Sequence, residues 1–115
     1  MNEFLIIIHR DMTSRDASPS PEQMQAAIKP FQDWIGGIAA QNKLAQPPKR
    51  WDGGGRVVKH NNTVTNGPYA EIKESIGGVI MIKAEDYDDA VEIAKGCPIL
   101  QWGAVVEVRM AVPTP

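Results

Sequence analysis

Six side chains of types that do chemistry stand out by their placement, in three places: His9, then Glu71, Lys73 and Glu74, then Glu107 and Arg109. Histidine moves protons near neutral pH, and a carboxylate beside it acts as its partner or as a base. Arginine holds carboxylates or phosphates through parallel N–H bonds. The set therefore points to proton transfer on a small, anionic organic molecule, with His9, Glu71 and Glu107 as the catalytic candidates. Arg109, Lys73 and Glu74 are candidates for holding the ligand. Just before the second group stands Asn66-Gly67-Pro68-Tyr69, a turn whose glycine takes backbone angles closed to other residues and whose proline fixes its own φ. A rigid turn feeding a strand is a common place to hold binding groups, so these four residues join the ligand-binding candidates. The plainer reading is a solvated turn, a same-face ion pair between Glu107 and Arg109, and a histidine that merely ends a strand.

Other chemistries find no pattern. With two histidines far apart and one cysteine, no metal-ligand spacing exists. There is no Ser-His-Asp order. The glycine run Trp51-Asp52-Gly53-Gly54-Gly55 reads as a flexible loop; it has neither the lysine nor the strand-to-helix context of a phosphate loop. No cofactor is expected. Twelve basic against fourteen acidic residues, formal charge −2, leave no footprint for nucleic acid. No stretch is long enough to span a bilayer, and the N-terminal apolar run lacks a signal-peptide pattern. The lone Cys97 has no histidine near it in sequence and reads as a packed residue in a reducing, cytoplasmic setting.

The elements that must position these groups are legible. Phe4–Ile8 is apolar in both phases and reads as a central strand with both faces buried. Residues 11–20 form a polar loop. Ser20-Pro21-Glu22-Gln23 is a helix start with a capping box, opening a helix from Pro21 to about Gln41 that kinks at Pro30. Its apolar stripe is Met24, Ala27, Ile28, Phe31, Trp34, Ile35 and Ile38. Leu44-Ala45-Gln46 reads as a short strand stopped by Pro47-Pro48. Arg56–His60 and Thr63–Thr65 form a hairpin around Asn61-Asn62, which tolerate the positive φ of a two-residue turn. Gly77–Ile82 is a buried strand. Asp86 caps a second helix with a stripe of Tyr87, Ala90, Val91 and Ala94, ended by Gly96 and Pro98. The last strand, Ala104 to Val112, puts Val106 and Val108 on one face and Glu107 and Arg109 on the other.

The segment Asn66-Gly67-Pro68-Tyr69-Ala70-Glu71-Ile72-Lys73-Glu74, with Ile76-Gly77-Gly78-Val79 after it, resembles the signature of YCII-related proteins of the DGPF subgroup. Asp86–Ala94 with Gly96-Cys97-Pro98, and Val106–Arg109, resemble that family's second helix and last strand. The likeness is close over the C-terminal half and holds in pattern only over the first helix. Asn66 stands where the signature has aspartate, Tyr69 where it has phenylalanine, and Met110 where a proline is usual. An asparagine does not transfer a proton as a carboxylate does. Some relatives are small-molecule lyases or dehydrochlorinases with a histidine–aspartate dyad whose histidine lies on the first helix; this first helix has no histidine, so that dyad does not carry over. Other relatives are associated with extracytoplasmic-function sigma factors.

Element order and resemblance agree on an α+β fold. It is a ferredoxin-like βαββαβ sheet with helices on one face and an inserted β-hairpin, in a single YCII-related (DGPF-type) domain over residues 1–115. At this length the chain buries about two thirds of its unfolded surface. Two helices cover one face, and strands apolar in both phases leave the other face needing cover. A second copy of the chain would supply it, so a homodimer is expected, and the resemblance implies a dimeric α+β barrel. Function divides between a barrel enzyme, or former enzyme, handling a small organic molecule beside Asn66–Tyr69, and a non-catalytic ligand-sensing or protein-interaction module linked to transcriptional regulation.

Overall fold

The structure is a computed structural model that describes residues 1–11, 20–51, 55–67 and 74–113. Its elements run β1 (Asn2–Asp11), α1 (Pro21–Ala40), β2 (Arg56–Lys59), β3 (Thr63–Asn66), β4 (Glu74–Ala84), α2 (Tyr87–Lys95) and β5 (Val105–Met110). The main sheet has the order β4-β1-β5, all antiparallel, and β2 and β3 pair as a separate hairpin. Leu44 adds a single antiparallel bridge to Ile82 on the free side of β4, flanked by bonds from the Ala45 N–H to the Met81 carbonyl and from the Lys83 N–H to the Lys43 carbonyl. The short strand expected at Leu44–Gln46 is thus one bridge long. The proline at position 47 has no N–H with which to continue the ladder. With that bridge the chain follows a βαββαβ-like order, and the sheet and hairpin are those expected from the element pattern.

Alternation along β1 divides the sheet into two faces. Phe4, Ile6 and Ile8 are 2% exposed or less and share a core with Ile80, Ile82 and Ala84 of β4. Ile38 of α1, Ala90 and Ala94 of α2, and Cys97 complete it, so both helices lie on this face. Val106 and Val108 of β5 pack against the same cluster. The other phase holds Leu5, Ile7 and His9 on β1, Val79 and Met81 on β4, and Val105, Glu107 and Arg109 on β5, and no helix among the described residues covers it.

Helix α1 begins as its sequence predicts: Gln23 N–H donates to the Ser20 hydroxyl, while the Gln23 side chain accepts from the Ser20 N–H. It runs as one span of 20 residues through Pro30. Pro30 and Ala26 are both exposed, so water reaches the carbonyl that the proline leaves without a partner. Ile28, expected in the buried stripe, is 53% exposed; the inward side is carried by Ala27, Phe31, Trp34, Ile35 and Ile38. In α2, capped by Asp86 accepting from the Asp89 N–H, Val91 turns out 38% exposed and Ile93 packs instead. Trp34 locks the two helices, its indole N–H donating to the Ile93 carbonyl at 2.9 Å with its ring against Gly96. A side chain at Gly96 would place its Cβ 2.9 Å from that ring, which is why glycine serves there.

The hairpin turns through three residues rather than two. Lys59 pairs with Thr63, leaving His60, Asn61 and Asn62 in the loop, and both asparagines take positive φ, 66° and 60°. Beyond α2, Pro98–Trp102 forms a short 3-10 helix and Gly103 takes a φ of 86° before β5. Cys97 is buried, and that burial pushes its thiol pKa up, consistent with a packed residue. The described part of the polar loop expected at 11–20 is confined to its ends; residues 12–19, and 52–54 of the glycine run, lie outside the described residues.

Candidate functional site

The uncovered sheet face carries an ionic chain. His9 on β1 stands opposite Val105 of β5, and Ile7 stands opposite Glu107, so His9 and Glu107 are diagonal neighbours on one face. His9 Nε2 lies 2.9 Å from Glu107 Oε1. Two residues on, Arg109 donates from Nε to the other oxygen of the same carboxylate, Glu107 Oε2. The period-2 geometry of β5 makes the second contact, and antiparallel pairing with β1 makes the first.

Electrostatics fixes the roles within the chain. The Arg109 guanidinium, and after it the His9 ring, hold the Glu107 carboxyl below its ordinary pKa range. An ionised carboxylate only accepts, so the shared proton sits on His9 Nε2 and the basic nitrogen of neutral His9 is Nδ1. His9 and Glu107 side chains are 22% and 34% exposed, while Arg109 is 67% exposed. The terminal nitrogens of Arg109 make no hydrogen bond among the described residues, which leaves its outer edge open to an anion.

The other candidates are placed differently. Asn66 ends β3, opposite Arg56, and Gly67 follows with a φ of 96°, its N–H donating to the Gly55 carbonyl. Both belong to the hairpin, and no described bond joins them to the His9–Glu107–Arg109 chain. Glu74 opens β4 with its backbone opposite Asp11, and a register shift between Ile8 and His9 sets Ile76 opposite His9. The entry of β4 therefore meets β1 two residues past His9 rather than beside it. Pro68, Tyr69, Glu71 and Lys73 lie outside the described residues. No group of His, Cys, Asp and Glu among the described residues has the spacing to hold a metal ion.

One feature of this face has no counterpart in the sequence reading. The chain after Leu44 crosses beside β4 and encloses an open cleft of about 140 Å³, walled by Pro47, Pro48 and Trp51 on one side and by Val79 and Met81 on the other. Its signal was present as Pro47-Pro48, which stops the edge strand and turns the chain away from the ladder.

An antiparallel α+β sheet with both helices on one face and an ionic chain on the other defines the class of protein. The family model for the YCII-related domain matches residues 6–112, and the chain belongs to that family. A search of curated proteins finds no match. No helix among the described residues is long and apolar enough to cross a membrane.

Proposed function

We propose that this YCII-related protein binds and transforms a small anionic organic molecule on the uncovered sheet face, with His9 as the proton-transfer group. The observation that carries this is the contact of both carboxylate oxygens of Glu107, one with His9 and one with Arg109. Glu107 holds the Nε2–H tautomer and stabilises the imidazolium that forms when Nδ1 takes a proton from the bound molecule. Arg109 anchors the anionic group through its outer nitrogens, which make no hydrogen bond among the described residues. Asn66, Gly67, Pro68, Tyr69, Lys73 and Glu74 remain ligand-binding candidates, and Glu71 a catalytic one, on their residue types and their place in the sequence.

In the same reading two copies stack their uncovered faces as a homodimeric barrel. Leu5, Val79 and Met81 are partly exposed there, and Val105 and Ile76 are 51% and 59% exposed, an apolar surface that a second sheet would cover. Sedimentation equilibrium at micromolar concentration is expected to return a dimer; a stable monomer would remove the barrel. The second reading, a non-catalytic ligand-sensing or interaction module, is favoured by the hairpin. Asn66 is unable to act as an acid there, and Val58 and Val64, directly opposite one another, are 67% and 57% exposed.

A thermal-shift panel of small organic acids, phenolics and lactones tests the site. A ligand at a hundred times its Kd stabilises by about 2.7 kcal/mol, several degrees of Tm at this size. The expected result is an acid that protects the native protein but not Arg109→Gln, and whose turnover stops in His9→Gln. Binding without turnover leaves the sensor. Protection that survives Arg109→Gln in full would place the ligand elsewhere.

A further inference from the structure

The cleft beside Trp51 and the ionic chain lie on opposite edges of one sheet face, and the register joins them. Leu5 pairs with Met81 on one side and with Arg109 on the other; Ile7 pairs with Val79 on one side and with Glu107 on the other. Two rows of side chains therefore cross the face in parallel, Met81-Leu5-Arg109 and Val79-Ile7-Glu107. In each row an apolar cleft wall leads over an aliphatic residue of β1 to a charged group. Two strand spacings of about 4.8 Å make the crossing roughly 10 Å.

We infer that the ligand of this face is an elongated amphipathic organic acid. Its carboxylate sits at Arg109, its body lies across Leu5, between this sheet and the one that would cover it, and its apolar end enters the cleft beside Trp51. The inference rests on the site proposed above and adds the shape and polarity of what that site takes. Charge complementarity sets the orientation: the terminal nitrogens of Arg109 have no partner among the described residues, whereas Pro47, Pro48, Val79 and Met81 bring apolar side chains to the far end, where Trp51 also lines the cleft. The cleft volume, about 140 Å³, matches that of cavities that take a benzene-sized group, enough for a phenyl ring or the end of an alkyl chain. Lys49 also contributes to the lining and is exposed, and a lysine so placed can keep its ammonium in water. A short acid would engage Arg109 and leave the cleft empty; a long neutral molecule would fill the cleft without an anchor.

The test uses butanoate, hexanoate, octanoate and 3-phenylpropanoate, all below micelle-forming concentration, with octylamine as the charge control. Affinities are measured by calorimetry on the full chain. Each added methylene is expected to tighten binding about three- to fourfold until the crossing is filled. Trp51→Ala, at a residue 68% exposed, and Val79→Phe, which narrows the cleft from the β4 side, are expected to flatten that length dependence, weakening octanoate far more than butanoate. Arg109→Gln is expected to weaken every acid by about tenfold or more. If acids bind through Arg109 with affinities that ignore length and both cleft variants, the elongated ligand is wrong and the anion site stands. If no acid binds, or octylamine binds as well as octanoate, both fall.

Discussion

The two faces of the main sheet are built from the same kind of strand and have opposite fates. On one face Phe4, Ile6, Ile8, Ile80 and Ile82 meet two helices and are sealed. On the other, the alternate residues of the same strands begin as apolar as the first set, with Leu5, Ile7, Val79 and Met81, and end in His9, Glu107 and Arg109. Alternation with a period of two makes the difference: each strand commits every second residue to the helix side and turns the rest the other way, where Ile7 is still only 7% exposed. A helix-covered face is specified by volume and tolerates no charge. An uncovered face has room for charged groups at its rim, where three of them join through one carboxylate.

The comparison breaks most visibly at Ile6. This residue is fully buried, and Ile6→Ala is expected to cost about 2–5 kcal/mol by chemical denaturation, through lost burial and the cavity left behind. Val105, on the opposite face and 51% exposed, is expected to change by about 0.5 kcal/mol or less when replaced by alanine in a monomer. A Val105→Ala loss that grows with protein concentration would instead mark that face as covered by a second copy.

A smaller effect sharpens what the helix side requires. Gly96→Ala is expected to cost about 1–3 kcal/mol by overpacking, since the new Cβ meets the Trp34 ring and that ring is pinned by its bond to the Ile93 carbonyl. Gly37, inside α1, has nothing within 4 Å of where a Cβ would stand. Gly37→Ala is therefore expected to stabilise by up to about 1 kcal/mol, from helix propensity alone. Thermal melts of the two variants should move in opposite directions; parallel losses would mean that the outer side of α1 is itself in contact with something.

These residues also show how far the sequence could be read. The Ser20 capping box, the Asp86 cap, the paired asparagines and the packed Cys97 are local signals, and local chemistry decided them. The strand order followed from element order, and with it the meeting of His9 and Glu107 on one face. What depended on register was not visible. The pairing puts Glu74 opposite Asp11, two residues past His9, and the shift between Ile8 and His9, with Gly77 laid against the Arg10 side chain, sets Ile76 opposite His9. The α2 core takes Ile93 rather than Val91, at the residue whose carbonyl accepts from Trp34, a tertiary contact that no helical stripe encodes. The cleft needed the path of the chain after Pro48. Arg109 and Glu107 were expected as a pair; that one carboxylate bridges arginine and histidine required the strands in place.

The smallest expected effects concern acid, and they set one carboxylate from each side of the sheet against the other. Asp89, at the start of α2, accepts from the Glu85 N–H and from Lys43 Nζ, and these two bonds, in that order, hold its pKa below the ordinary aspartate value. Glu107 is held down by Arg109 and then His9. For a carboxyl whose folded pKa is depressed, the stabilisation is complete above the unfolded pKa, about 4, and is lost as pH falls through the folded value. Stability should therefore decline on acidification below about pH 4, with Asp89→Asn and Glu107→Gln each removing part of the slope. Because both groups are solvent-accessible, each contribution is small and screened by salt. The distinction lies in the readout. Asp89 ties the Lys43 segment to the helix layer, so its substitution should lower the urea midpoint at pH 6 and converge with the native protein at low pH. Glu107 faces away from that layer, so Glu107→Gln should change the midpoint less, yet it removes the carboxylate that holds His9 as the Nε2–H tautomer. Long-range proton–nitrogen NMR at a pH where His9 is neutral would then find a mixed tautomer in Glu107→Gln and an unaltered His60, which is exposed in the hairpin loop. An unchanged His9 tautomer in that variant would mean that Glu107 does not set the proton position, and the basic nitrogen assigned here to Nδ1 would have to be given up.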